Sequence, residues 1–160
     1  MKTGTQTVDI IAVVQEGSST VEQLTSGLTF QRLYHGQIMA FRFIDQSRSS
    51  VDAWTERASA EAQAIPADKI SVGMYDFSGC RYFSMSPYIR QRALEMSRRF
   101  KDVEGFSAVV VPKTPAMQLA ALFLRLLKIK IQTRIFFTYE EGLYWLKENV
   151  DRLPGKARRP

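Results

Sequence analysis

Apolar residues follow two rhythms along this chain, and each change of rhythm marks an element. Residues 28–34 and 37–44 are dense in aromatic and branched side chains and flank His35-Gly36. They predict an antiparallel hairpin, with Gly36 supplying the positive φ of a tight turn. Residues 8–14 form a shorter apolar run, an edge strand or a buried helical turn, which periodicity alone does not separate.

From residue 49 the spacing changes to three and four. Ser49 or Ser50 caps a helix whose first turn carries Asp52, and Val51, Trp54, Ala58, Ala62 and Ile65 form its buried stripe up to Pro66. Residues 70–75 return to strand and close on Asp76. Ser86 as cap and Pro87 at the first position then open a second helix. Its apolar face is Ile89, Ala93, Met96, Phe100 and Val103, and Gly105 stops it. Residues 106–111 are continuously apolar, as in a strand covered by helices on both faces. Thr114-Pro115 start a third helix, whose Met117, Leu119, Leu122, Phe123, Leu124, Leu126 and Leu127 point nearly all round the axis. Such a helix is either buried on every side or contacts another molecule. Residues 131–137 form the last strand, with Ile131, Thr133, Ile135 and Phe137 on one face. Thr138 and Glu141 make a capping box for a final helix seated by Leu143, Leu146, Val150 and Leu153.

The order is a hairpin, then helix and strand alternating three times, then a helix. It predicts an α/β fold of the ββαβαβαβα type: one mixed, mostly parallel sheet with an N-terminal antiparallel hairpin and about four helices. Residues 28–153 form the domain, 1–27 an N-terminal extension and 154–160 a basic tail.

With 160 residues, 45 % hydrophobic and 24 % charged, the chain suits one folded domain. Cys80 is its only cysteine, which excludes an intrachain disulfide and fits the reducing cytoplasm. The first residues show no secretory pattern, and Gln118, Arg125, Lys128 and Lys130 argue against a membrane span in residues 114–131. The net charge of +6 is dispersed. Lys156, Arg158 and Arg159 lie in the tail, while Arg90, Arg92, Arg98, Arg99 and Lys101 are interrupted by Glu95, Asp102 and Glu104. A solvated helix face is expected, with no specific nucleic-acid site.

Candidate chemistry is sparse. His35 is the only histidine, so no histidine pair or cluster exists. Cys80 has no histidine near it in sequence and suits a small buried hydrophobe better than a thiolate. Asp76 could hold a metal with Asp45, but an Asx-type turn is the expected role. Gly73 and Gly79 lack the spacing and lysine of a phosphate loop. No enzymatic activity, metal or cofactor is expected.

The element order and the run Asp76-Phe77-Ser78-Gly79-Cys80 resemble the STAS domain family, which includes anti-sigma-factor antagonists and the cytoplasmic domains of sulfate transporters. In that family a strand ends in a D-L-S-G-V-like turn, and a D-S-S-G-like segment opening the next helix often carries a phosphorylatable serine. The stretch from Arg134 to Leu146 is similar to the family's F-x-x-x-E-E-A-x-x-W-L ending. Aligned on Asp76, the D-S-S-G segment falls on Ser84-Met85-Ser86-Pro87, which puts Met85 at the acceptor position and leaves Ser84 and Ser86 as phosphorylation candidates. The resemblance implies a non-enzymatic regulatory module presenting Asp76, Ser78, Gly79, Arg81, Tyr82 and Met85 to a protein partner, a kinase or a regulator. The alternative is a binder of an apolar small molecule or lipid, with its pocket between the residue 114–130 helix and the sheet. Met117, Leu122, Phe123 and Leu126 would then form a ligand face or a homodimer face.

Overall fold

The computed structural model describes residues 17, 19–82, 84, 86–114, 122 and 129–154. Its elements run β1 (Glu22–Thr25), β2 (Leu28–Leu33), β3 (Ile38–Phe43), α1 (Arg48–Ala64), β4 (Ser71–Asp76), α2 (Pro87–Arg99), β5 (Gly105–Val110), β6 (Ile131–Phe136) and α3 (Tyr139–Asp151). One six-stranded sheet takes the strands in chain order, β1-β2-β3-β4-β5-β6. The first three strands pair antiparallel and the remaining pairings are parallel. This is the mixed α/β fold that the alternation of periods predicts.

Three details differ from expectation. The edge strand is Glu22–Thr25; the apolar run 8–14 lies outside the described residues. The hairpin turn spans Tyr34–Gln37, with positive φ at Tyr34, His35 and Gly36. Helix α1 is capped by Ser47, neither Ser49 nor Ser50, with the Ser50 N–H donating to the Ser47 hydroxyl at 3.3 Å. Ser50 is spent elsewhere, its hydroxyl donating to Asp45 Oδ1 at 2.8 Å. Of about four helices expected, three are described; most of the residue 114–130 segment lies outside the described residues. No helix among those described is long and apolar enough to cross a membrane.

The two faces of the sheet are packed differently. Helix α3 covers one face, seating Leu143, Leu146 and Val150 against Ala40, Val72, Met74 and Ala108. Thr138 caps it as the sequence predicts, the Glu141 N–H donating to the Thr138 hydroxyl at 3.3 Å. Helices α1 and α2 cover the other face. Glu61 of α1 accepts from both Arg32 of β2 and Arg57, and Arg57 also pairs with Glu22 of β1 at 3.0 Å. The Arg57 guanidinium lies 4.2 Å over the Phe30 ring, so this cluster fastens α1 to the hairpin.

Candidate functional site

Three in-register rows of side chains cross the face under α1 and α2. The first, Phe41-Tyr75-Val109-Ile135, is bulky. In the second, Met39-Gly73-Ser107-Thr133, and the third, Ser71-Gly105-Ile131, size falls away over β4 and β5. Cores normally leave few voids larger than a water molecule. Here the retreat of Ser71, Gly73 and Ser107 leaves a cavity of about 180 Å³ between sheet and helices.

The helical walls of the cavity are the stripes that the sequence marks as buried. Val51, Trp54, Ala58 and Ala62 come from α1, and Ile89, Ala93 and Met96 from α2. The sheet adds Met39, Phe43, Tyr75 and Phe77, and Ile129 closes one side. Among the described residues no ionised side chain lines it. The residue 114–130 helix, expected to cover the pocket, lies mostly outside the described residues; the described walls come from the sheet, α1 and α2. Leu122 is 56 % exposed and is not among the lining residues, while Met117, Phe123 and Leu126 lie outside the described residues.

Its polar groups are few. Trp54 stands edge-on to Phe43 at 6.1 Å and to Tyr75 at 5.9 Å, and its indole Nε1–H is buried without a hydrogen-bond partner. Tyr75 stacks on Phe41 at 5.7 Å. Its hydroxyl lies 3.1 Å from where a Cβ on Gly73 would stand, so glycine there lets the phenol lie along the cavity floor. Burial pushes the Tyr75 phenol up to about 12, above its ordinary value of 10.0. The unfolded chain therefore loses this proton first as the pH rises. Stability should be intact below about pH 10 and fall by roughly 2 kcal/mol as pH climbs toward 12. Denaturation curves across that window check this. Tyr139 is also raised by burial, so Tyr75→Phe isolates the cavity's share; an unchanged alkaline slope in that variant contradicts it.

The loop after β4 is built around Asp76. Its Oδ1 accepts from the Ser78 N–H at 2.9 Å and the Ser78 hydroxyl at 2.6 Å, and its Oδ2 accepts from Arg42 Nε at 2.9 Å. Asp76, expected in the interaction loop, is 1 % exposed and braces the turn from inside. Ser78, Gly79, Arg81 and Tyr82 are exposed, with the Arg81 guanidinium 5.6 Å over the Tyr82 ring. Met85 lies outside the described residues, and Ser84 is exposed. Ser86 is the cap of α2, its hydroxyl accepting from the Ile89 N–H at 3.3 Å. Cys80 is buried with Sγ donating to the Phe43 carbonyl at 3.5 Å, and burial pushes its thiol above the ordinary range. His35 is an exposed turn residue. Among the described residues no group of three His, Cys, Asp or Glu could hold a metal ion.

The cavity escaped sequence reasoning. Gly73 and Gly105 stood out only as the wrong spacing for a phosphate loop and as a helix stop. The available signal is the small pair Ser71 and Gly73 on one strand with Ser107 on the next. Comparison of the chain with family models, with curated proteins and with solved structures gave no match.

Proposed function

We propose that this protein is a non-enzymatic binding module whose ligand is a small apolar molecule held between the sheet and helices α1 and α2. The observation that carries this reading is the cavity of about 180 Å³ with apolar walls at the centre of the domain. An apolar cavity of roughly 150 Å³ already accepts benzene. Each buried CH₂ adds about 0.8 kcal/mol, which drives entry without any directional contact. Titration calorimetry of the full chain with n-butylbenzene tests the reading, with binding as the expected result. Ser107→Ile grows a side chain from the floor; it should weaken binding at least roughly tenfold while stability holds or rises by about 1 kcal/mol. No heat from the parent protein up to the solubility limit overturns the reading, and unchanged affinity in Ser107→Ile removes the site from this cavity.

A second reading is favoured by Tyr82, 80 % exposed on the loop that follows β4. In it the chain is a STAS-like cytoplasmic regulatory module whose loop, Ser78 to Ser84, meets a protein partner. Phe77 belongs to both readings, since it lines the cavity and directly precedes that loop. Phosphate found on Ser84 in protein isolated from its own cell supports the regulatory form. Ser84 unmodified under every growth condition removes phosphorylation from it.

A further inference from the structure

We infer that the cavity's ligand is an uncharged amphiphile, an apolar body with one hydroxyl or carbonyl oxygen, and that this oxygen meets a row of hydroxyls formed by Tyr75, Ser107 and Thr133. This rests on the binding reading above. Gly73, Ser107 and Thr133 are in register on β4, β5 and β6, with about 4.8 Å from one strand to the next. The Tyr75 hydroxyl lies 3.1 Å from where a Cβ on Gly73 would stand, so it joins the row at the glycine's place. All three side chains line the cavity. Among the described residues none of these hydroxyls has a hydrogen-bond partner, yet each oxygen is open to a molecule the size of water. Ser107 is 8 % exposed and sits on an inner strand, so what reaches its oxygen comes through the cavity. Ser97, also in the wall, differs, since its hydroxyl donates to the Leu94 carbonyl at 2.9 Å. Ser71 is unpartnered too but lies one row away, opposite Gly105.

Polar groups inside native proteins are rarely left without partners. A pure hydrocarbon lying against the row would exclude water from it and return no hydrogen bond, which weakens its hold. A ligand oxygen restores the bonds, because each hydroxyl of the row both donates and accepts. A carboxylate or ammonium group would enter a cavity whose described walls hold no opposite charge, and burying an unpaired ion is costly. An apolar body with one neutral oxygen is what remains.

Calorimetry of the full chain with matched probes tests this. On one skeleton, n-pentylbenzene, 4-phenylbutan-1-ol and protonated 4-phenylbutylamine end in CH₃, OH and NH₃⁺, and 5-phenylpentan-2-one supplies the carbonyl. For the alcohol or the ketone, the ratio of its affinity to that of pentylbenzene should fall about fivefold in at least one of Tyr75→Phe, Ser107→Ala and Thr133→Val, the worth of one net hydrogen bond. Pentylbenzene should bind each variant at least as tightly as the parent, which shows that the cavity is intact and that the loss belongs to the oxygen. The ammonium probe should bind at least roughly tenfold more weakly than the alcohol. If pentylbenzene binds but neither ratio changes in any of the three variants, the inference fails and the binding reading stands. An ammonium probe that binds as tightly as the alcohol also overturns the inference. If no neutral probe binds, the binding reading itself fails.

Discussion

Replacing Gly105 with alanine is expected to lower unfolding free energy by about 3 kcal/mol, at the upper end for an overpacked site. Gly105 opens β5 opposite Ser71. A Cβ there would stand 1.8 Å from the Ser71 carbonyl oxygen, 2.7 Å from its carbon and 3.0 Å from its nitrogen. These are backbone atoms, so no side chain can swing aside to relieve the clash. The starts of β4 and β5 must part instead, at the point where the Ser71 N–H donates to the Glu104 carbonyl at 2.8 Å. Gly36→Ala is the control. Its φ is +78°, but a Cβ there meets nothing within 4 Å, so only backbone strain of about 1 kcal/mol applies. Urea denaturation of both variants checks the contrast, and a Gly105→Ala loss no larger than that of Gly36→Ala contradicts it.

Asp76→Ala should cost about 2 to 3 kcal/mol, although it removes a small side chain. The carboxylate is buried and accepts from Ser78 twice and from Arg42 once. Hydrogen bonds to a charged group contribute about 1.5–3 kcal/mol, and a buried donor left alone adds its own penalty. Arg42 limits the loss: its side chain is 57 % exposed and rehydrates once released. Asp76→Asn keeps an oxygen for Ser78 and gives up only the ion pair, so it should cost about half as much. Chemical denaturation decides. An alanine variant within roughly 0.5 kcal/mol of the parent would mean that Asp76 does not brace this turn.

How far the fold was legible follows from the kind of information each element needs. Pro87 behind Ser86, and Glu141 three residues after Thr138, are local signals with local causes, and α2 and α3 begin where these residues say. The strand Glu22–Thr25 has no apolar alternation to announce it. It is held by pairing to β2, with a register shift between Gln23 and Thr25, and by Arg57 reaching from α1 to Glu22, which are contacts that distance in sequence conceals. The cap of α1 is Ser47, two and three residues ahead of the expected Ser49 or Ser50, because any serine hydroxyl in such a run is chemically able to cap. Asp45 Oδ1 accepts from the hydroxyls of both Ser47 and Ser50 and from the Ser47 N–H, contacts that depend on the turn before the helix. The cavity is the hardest case. Stripes on α1 and α2 say which faces are apolar, but not how far the opposing surface stands away. That distance depends on Gly73 and Ser107 falling side by side, a matter of register between separate strands.

The strand order has a consequence for how the protein assembles. Because every strand pairs with the one made just before it, the sheet can be laid down progressively as the chain emerges, each new strand finding a finished edge waiting. The tie from the Tyr34 hydroxyl to Asp151, 117 residues apart at 2.6 Å, closes only after α3 has been made. That contact is therefore a natural reporter of completion, and its loss should leave early folding steps untouched while speeding the unfolding of the finished molecule.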